Sequence, residues 1–299
     1  MIELKDRVVF LNKIHLFGGL KDEQLSSIAS KLEERPLPEN SIVFQRGAKP
    51  DGFYMVYKGK VKVTRPSEKG TDFLAWLVAG DYFGEEALFE NRVRSATITT
   101  VEDTVIFFLS HAHFEELLKK HEKLKPNFMV AIKSRKLARS LRFKWLGPKE
   151  VIYFLARRHR IRLYQTLIAP VFVIFIPILL FMWSVVSGAT TPYAVGLFIL
   201  IIDILWGIWR AVDWSNDYYI VTNHRVVWVE RVIGIYDSRQ EVPLATILAV
   251  NVETDAIGRI LDYGNVSVRT FVGSIRFDYV DHPVQAADMI REYWERTKV

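Results

Sequence analysis

The sequence predicts a mainly β protein with helices, in which two β-rich regions flank a hairpin of two apolar helices. Three observations predict this fold class. Short strand-like runs separated by glycine turns recur over residues 36–109. Residues 164–186 then contain no charged side chain, and residues 193–209 contain a single acid, so both runs are apolar enough for membrane helices. Strand-like runs return over residues 218–279.

The N-terminal region is predicted to be a β-barrel or jelly roll with helices on either side of it in the sequence. Residues 1–32 carry apolar side chains at helical spacing. Many short strands with glycine turns over residues 36–109 are typical of closed antiparallel folds. Ser110 is expected to cap the following helix, with Phe114 facing inward. A further helix is expected over about 127–142.

Composition and charge restrict the classes of function. The chain has 299 residues, no cysteine and a formal net charge of +6. Disulfides, thiolate zinc sites and a cysteine nucleophile are therefore excluded. Eleven Lys or Arg and one acid, Glu150, lie within residues 133–162, so this band carries +10 and the rest of the chain −4. A band this concentrated indicates a local anionic surface as its partner rather than nucleic acid. A transcription factor would need a helix-turn-helix after residue 142, where the chain instead approaches its apolar runs.

One short stretch combines the groups that a phosphate-bearing ligand with hydroxyls requires. Gly84 lets the backbone approach a ligand closely, and the helical turn after it presents free amides to an anion. Glu85 can accept a hydrogen bond from a sugar hydroxyl. Arg94, nine positions later, can donate two hydrogen bonds to two phosphate oxygens. Ser95 adds a donor, and the small side chains of two neighbouring residues, Ala87 and Ala96, leave room for the ligand.

This stretch, Phe83-Gly84-Glu85-Glu86-Ala87-Leu88 followed by Arg94-Ser95-Ala96-Thr97, resembles the phosphate-binding cassette of cyclic nucleotide-binding domains. The resemblance extends to Asp51-Gly52-Phe53-Tyr54 and Lys58-Gly59-Lys60-Val61 and covers about residues 8–125. It implies that Glu85 holds the ribose 2′-hydroxyl, that Arg94 holds the cyclic phosphate, and that amides near Gly84 and Ala87 line the phosphate.

The resemblance also implies the remaining members of the binding set and the ligand. The nucleotide-binding residues are expected to be Phe83, Gly84, Glu85, Ala87, Leu88, Arg94, Ser95 and Ala96. Ser95 beside Arg94 favours cyclic AMP, while cyclic GMP and the pyrimidine cyclic nucleotides remain open. No cofactor or metal is expected besides this ligand. In the family, the helices after residue 110 fold over the base as a lid.

The two apolar runs are predicted to form a transmembrane hairpin joined by the link 187–192. Basic residues precede the first run and Arg210 follows the second, which places both flanks in the cytoplasm of a multi-pass inner-membrane protein. No secretory signal is visible at the N-terminus, so the first domain is expected to be cytosolic. The basic band is expected to contact anionic lipid headgroups, with Lys149 to Arg160 as an interfacial amphipathic helix.

Asp203 is the one acidic residue within the apolar runs. A charge in hydrocarbon costs at least about 2.5 kcal/mol, so its side chain should face protein or water. It could line a pore formed by several chains, or a protonated or locally hydrogen-bonded Asp203 could support packing between the helices.

The C-terminal region is predicted to be a small β-sandwich closed by a helix that Pro283 opens. It resembles the bacterial pleckstrin-homology-like domain of membrane proteins. The matching pieces include Tyr219-Ile220-Val221-Thr222-Asn223-His224-Arg225, Glu241-Val242-Pro243-Leu244 and Asp262-Tyr263-Gly264. The resemblance covers residues 146–299 and implies fold and membrane attachment more than chemistry. Asn223 to Arg225 are interpreted as a turn between strands rather than a site.

Together these features predict a membrane-anchored cyclic nucleotide receptor, and not an enzyme, since no metal cluster, nucleophile–base set or phosphotransfer loop is visible. The alternative is an oligomeric cyclic nucleotide-gated channel or a membrane-disrupting effector. A homo-oligomer is expected in either case. The expected segments are a sensor with lid helices (1–142), a basic juxtamembrane linker helix (143–163), a transmembrane hairpin (164–212) and a PH-like domain (213–299).

Overall fold

The structure, a computed structural model, describes residues 2–67, 70–141, 143, 145–147, 150–232, 236–271 and 273–298. The chain divides into two compact units. Unit 1 comprises residues 1–151 with 291–296, and unit 2 comprises residues 152–290 with 297–299.

Unit 1 is a jelly roll of two antiparallel sheets with helices packed outside it. Its strands are β1 (Glu33–Leu37), β2 (Ile42–Phe44), β3 (Gly52–Lys58), β4 (Lys60–Ser67), β5 (Gly70–Val78), β6 (Tyr82–Phe83), β7 (Thr97–Thr100) and β8 (Thr104–Ser110). They pair in the orders β1-β8-β3-β6 and β2-β7-β4-β5. The predicted barrel or jelly roll over residues 36–109 is thereby confirmed.

The helices of unit 1 are α1 (Leu4–Asn12), α2 (Asp22–Ala29), α3 (Glu85–Glu90), α4 (His111–Lys120) and α5 (Lys125–Ser140). The hydroxyl of Ser110 accepts a hydrogen bond from the backbone N–H of His113, and Phe114 is buried, as the sequence predicted. α5 ends at Ser140, and its Pro126 lies in the first turn, where a proline costs no backbone hydrogen bond.

The core of unit 1 has two sides because successive side chains of a strand point to opposite faces. On β3, Phe53 and Met55 belong to the cluster that packs against the helices, whereas Tyr54 and Val56 point into the interior between the two sheets. β3 is therefore buried on both faces and fixes the position of the residues at its start.

Two helical segments of unit 2 are long and apolar enough to cross a membrane. The first consists of α6 (Arg160–Val173) and α7 (Phe175–Ser187), which meet at Ile174, and the second is α8 (Thr190–Ser215). The break lies between Pro170 and Pro177, whose rings disrupt regular helix geometry. Only Gly188 and Ala189 separate α7 from α8, so the link is shorter than the predicted 187–192.

The predicted linker helix over 143–163 is wrong, because β9 (Ile152–Arg157) occupies its centre. This strand pairs with β10 (Tyr218–Thr222), with Leu155 opposite Ile220, and Phe154 and Leu155 are buried. A strand from the other side of the hairpin supplies the backbone partners that the local sequence does not reveal. Part of the segment assigned to the membrane surface is thus the edge strand of a sheet.

The strands of unit 2 form two antiparallel sheets. The remaining elements are β11 (Arg225–Val232), β12 (Tyr236–Pro243), β13 (Ile247–Glu253), α9 (Ala256–Leu261), β14 (Tyr263–Thr270), β15 (Ser274–Asp281) and α10 (Pro283–Arg296), whose residues 291–296 are counted with unit 1. The sheet orders are β12-β11-β10-β9 and β13-β14-β15. The Tyr219 hydroxyl joins the sheets, since it donates to the backbone oxygen of Asp278 and accepts from its N–H. The predicted turn at Asn223 lies between β10 and β11.

Candidate functional site

The candidate site is built where β6 turns into α3. Phe83, the last residue of β6, stacks on Tyr54 of β3 with ring centroids 5.2 Å apart. Gly84 follows with φ of +91°, a left-handed conformation that favours glycine, and α3 begins at Glu85. A Cβ atom on Gly84 would lie 2.7 Å from Nη1 of Arg94, so a larger residue would push into the guanidinium.

Arg94 lies in the centre of this site and is 2% exposed. Its Nη1 donates to the carbonyl of Gly84 at 2.8 Å. Its Nη2 donates to Oδ1 of Asp51 at 2.6 Å and to the carbonyl of Gly52 at 2.8 Å. The guanidinium also lies 4.2 Å from the ring centroid of Phe44. These contacts fix the plane of the side chain before any ligand contributes.

The donors of Arg94 are not all used by these contacts. A guanidinium carries five N–H donors, and three are engaged by Gly84, Asp51 and Gly52. The buried Nε has no hydrogen-bond partner among the described residues. A buried donor without a partner is costly, and an anionic oxygen would satisfy it. This donor is therefore the part of Arg94 that is best suited to a phosphate.

Glu85, the other predicted ligand-binding residue, is also 2% exposed. Its Oε1 accepts a hydrogen bond from Nη1 of Arg135 on α5 at 2.8 Å. Burial alone would lower the pKa of the Arg135 guanidinium, but the acidic groups around it, with the carboxylate of Glu85 as the strongest, together outweigh burial and raise the pKa. Arg135 also lies over the ring of Tyr82, 4.2 Å from the centroid. The ion pair therefore joins the site to α5.

Two more ion pairs connect α3 to α5. Glu86 accepts from Arg139 at 2.6 Å, and Glu90 pairs with Lys136. The basic band was expected to contact anionic lipid, yet these residues are bound to carboxylates of the protein itself. Their spacing along α5 directs them to one face, towards α3.

The other predicted site residues differ in their exposure to solvent. Ala87, Leu88 and Ala96 are buried, whereas Ser95 is exposed. Sequence reasoning assigned no site role to Asp51 or Arg135. Asp51-Gly52 was noted only as part of the family resemblance, and Arg135 was counted only as one charge of the basic band.

Asp203 lies on α8 and is buried, so its side chain faces protein. Its Oδ1 has no hydrogen-bond partner among the described residues. Among those same residues, no group of three or more His, Cys, Asp or Glu side chains could hold a metal ion.

Two family models match the chain. Residues 34–121 match the model described as "Cyclic nucleotide-binding domain", and residues 151–297 match the one described as "Bacterial PH domain". The chain carries both domains. The cyclic nucleotide-binding domain contains Asp51, Glu85 and Arg94, whereas Arg135 lies beyond the matched residues. The bacterial PH domain includes β9, in agreement with its pairing in the sheet.

The chain is also similar to individual proteins. It is 30% identical over 122 residues to the cGMP-dependent protein kinase egl-4 of Caenorhabditis briggsae, and this match covers 40% of this chain and 16% of the kinase. It is 31% identical over 109 residues to the cAMP-dependent protein kinase regulatory subunit of Yarrowia lipolytica, and that match covers 36% of this chain and 28% of the regulatory subunit. The crystal structure of the Thermus thermophilus catabolite activator protein is 30% identical, with a TM-score of 0.39 over 42% of this chain and 59% of that chain. The chain thus spans less than a third of these two curated relatives.

The Asp51 carboxylate makes the stability of the cyclic nucleotide-binding domain depend on pH. Burial alone would raise the pKa of Asp51, but hydrogen bonds from Tyr54 and Arg94 outweigh it and lower the pKa below its usual value of about 3.9. The resulting stabilisation is present above that value and is lost as the pH falls through the lower, folded pKa. We expect Asp51→Asn to lower the melting temperature by a constant amount above pH ~5, and by less and less below pH ~4.

Thermal unfolding of the full chain over this pH range measures the difference between the variant and the wild type. Glu102→Gln, which removes an exposed carboxylate outside the site, is the control and should show no such trend. A difference that stays constant down to pH ~3 would show that Asp51 is not held ionised by these contacts.

Proposed function

We propose that this protein is a membrane-anchored receptor for a cyclic nucleotide, with cyclic AMP as the preferred ligand and cyclic GMP as the alternative ligand. The observation that carries the proposal is the buried Arg94, whose Nε has no partner among the described residues, beside the left-handed Gly84 and the start of α3. Buried cationic donors next to free backbone amides suit an anion. The match of residues 34–121 to the cyclic nucleotide-binding domain supports a nucleotide as that anion.

Each part of the ligand then has a partner in the site. The cyclic phosphate accepts hydrogen bonds from Arg94 and from the amides near Gly84 and Ala87. Oε1 of Glu85 is taken by Arg135, so Oε2 is the oxygen that accepts from the ribose 2′-hydroxyl. Phe83, Leu88, Ser95 and Ala96 complete the set, with the exposed Ser95 as a further donor. Names among the relatives include both cGMP- and cAMP-dependent proteins, so the preference for cyclic AMP rests on Ser95 alone.

The signal leaves the site through α5. A hydroxyl that hydrogen-bonds to Glu85 changes the environment of Arg135, and the pairs of Lys136 and Arg139 with α3 make α5 respond as a unit. α5 ends at Ser140, and the chain continues to β9 at Ile152 in the bacterial PH domain. The ligand must bind one position of α5 more tightly than the other, because equal affinity for both shifts no population.

The exposed surface of the apolar helices supports the membrane anchor. Only 11% of the most apolar stretch of each helical segment is buried, unlike the core helix of a soluble protein. Large apolar side chains such as Phe172, Leu179 and Phe198 are exposed along them. The basic residues before α6 and Arg210 near the end of α8 favour cytoplasmic positions for both flanks. Asp203 faces the interior of the hairpin, which favours a packing role over the channel or effector alternative.

Calorimetric titration of the detergent-purified full chain tests ligand binding. We expect binding of cyclic AMP in the micromolar range or tighter, weaker binding of cyclic GMP, and the weakest binding of cyclic CMP and cyclic UMP. Binding of none of the four would contradict the receptor. Tighter binding of cyclic GMP would keep the receptor and correct its ligand.

Alkaline carbonate extraction of cell membranes tests the anchor. Since both apolar segments expose their side chains, the protein is expected to stay in the membrane pellet, as an integral membrane protein does. A variant that lacks residues 160–215 is the control for non-specific pelleting. Release of the full chain into the supernatant would contradict a transmembrane hairpin.

A further inference from the structure

Unit 2 contains a cavity of 660 Å³ beside the first turn of α6. Its size falls within the range of about 300–1,000 Å³ that is usual for small-molecule sites. The charged side chains that line it are Arg158, Arg162, Arg276, Glu253, Asp255 and Asp278. The formal charges of these six residues cancel, three positive against three negative. A ligand that carries both signs of charge therefore complements the cavity better than an anion or a cation.

We propose that this cavity binds a phosphate ester that carries an amine, the chemistry of a phosphoethanolamine group. The group has one negative phosphate and one positive ammonium, which match the two kinds of side chain in the lining. The same group occurs as the headgroup of phosphatidylethanolamine and as a small soluble ester.

Arg162 is the residue best placed to hold the phosphate. Its guanidinium lies 5.6 Å from the ring centroid of Tyr279, and none of the described carboxylates pairs with it. Arg158, in contrast, is neutralised by Asp217 at 2.6 Å, and Arg276 is held by Asp278 at 2.8 Å. The planar fork of Arg162 can therefore donate to two phosphate oxygens without breaking an ion pair.

The amine has acidic partners in the same cavity. Glu253 lies 3.7 Å from Arg276, and Oδ1 of Asp255 accepts a hydrogen bond from the N–H of Gly258. A carboxylate has two oxygens, so each of these side chains can also accept a hydrogen bond from an ammonium group. A purely anionic headgroup would instead bring no cation to these carboxylates.

The backbone of Tyr279 is held in an uncommon conformation at this cavity. Its φ is +55°, and its N–H donates to Oδ1 of Asn265, another residue of the lining. A large non-glycine residue with positive φ is strained, and such residues concentrate at ligand sites. The ring of Tyr279 contacts the ring of Tyr263 and the guanidinium of Arg162.

The membrane source of this ligand rests on the proposed function. Arg162 is in the first turn of α6, directly before the uncharged run that starts at Tyr164. If α6 enters the bilayer there, the cavity lies at the depth of the lipid headgroups. The chemistry of the cavity does not depend on this placement, so a soluble ester remains the second source.

Binding to the detergent-purified full chain tests the proposal. Short-chain phosphatidylethanolamine, phosphatidylcholine and phosphatidylglycerol are titrated, together with free phosphoethanolamine and inorganic phosphate, and binding is followed by native mass spectrometry and calorimetry. We expect the phosphoethanolamine group to bind at least about tenfold more tightly than the phosphatidylglycerol headgroup, because only the former places an ammonium among the carboxylates. Tighter binding of the lipid than of the free ester assigns the ligand to the membrane, and equal binding assigns it to a soluble ester.

Variants of the lining separate the two halves of the site. Arg162→Gln is expected to weaken binding of every phosphate ligand about tenfold or more, and Glu253→Gln to weaken only the amine-bearing ligands. Arg160→Gln, which removes a neighbouring exposed charge that does not line the cavity, should bind as the wild type does. Equal affinity of Arg162→Gln and the wild type would overturn the proposal, as would equal binding of phosphatidylglycerol and phosphatidylethanolamine.

The same samples are titrated with cyclic AMP and cyclic GMP. A chain that binds a cyclic nucleotide but no phosphoethanolamine group overturns the assignment of this cavity and leaves the receptor function standing. A chain that binds the phosphoethanolamine group but no cyclic nucleotide supports the assignment of this cavity and contradicts the receptor function.

Discussion

Arg94→Ala is expected to weaken cyclic nucleotide binding by about a hundredfold, which corresponds to about 2.7 kcal/mol. The variant removes the one buried cation that we assign to the phosphate, which is also the described side chain that donates to the carbonyl of Gly84. Calorimetric titration of the full chain measures the loss. Because the carbonyls of Gly84 and Gly52 also lose their donor, the variant should melt at a lower temperature.

Two further variants separate the loss of binding from the loss of stability. Arg94→Lys keeps a positive charge but not the planar fork, so it should retain more stability and still bind about tenfold more weakly. Arg92→Ala removes an arginine from the same loop whose side chain is 77% exposed, and its affinity should equal that of the wild type. Unchanged affinity of Arg94→Ala would remove this residue from the site.

Arg135→Gln is expected to destabilise the protein by about 2 kcal/mol, with a fall in melting temperature of about 4–8 °C. Glu85 is buried, so the loss of its partner leaves a carboxylate with little access to water. The side chain of Arg135 is 26% exposed, which keeps the expected cost below that of a fully buried pair. Thermal unfolding of the ligand-free full chain, followed by tryptophan fluorescence, measures the effect.

A double-mutant cycle identifies the cause. Glu85→Gln together with Arg135→Gln should cost less than the sum of the single variants, because the double variant leaves no unpaired charge. Lys136→Gln breaks a neighbouring exposed pair with Glu90 and should change stability by at most about 0.5 kcal/mol. Equal effects of Lys136→Gln and Arg135→Gln would show that α5 is held by general charge attraction and not by the buried pair.

The local geometry of residues 83–96 could be predicted from the sequence because these residues contact one another within a short segment. Gly84 must adopt a left-handed conformation, Glu85 starts α3, and Arg94 returns to the carbonyl of Gly84, all within one short segment. Arg135 could not be assigned in this way. It reaches Glu85 from fifty positions along the chain, and the sequence shows only that it belongs to a basic band.

The wrong assignment of residues 152–157 has a similar cause. Apolar side chains at Ile152, Phe154 and Leu155 are compatible with one side of a helix, and the basic residues that follow suggested a membrane surface. What selects a strand is the pairing of Leu155 with Ile220, on the far side of the apolar hairpin. Burial and pairing with a distant strand override the local pattern.

The position of β9 also constrains the order of events during synthesis. β9 leaves the ribosome before α6, and its partner β10 follows α8, so the sheet cannot close until the whole hairpin has been made. Under the proposed membrane anchoring, β9 and β10 can pair only if the two apolar segments cross the bilayer an even number of times, so that the chain returns to the side it started from. If one segment failed to insert, β9 and β10 would lie on opposite sides of the membrane, with the backbone groups of both strands unpaired. Closure of this sheet would then depend on the insertion of both segments.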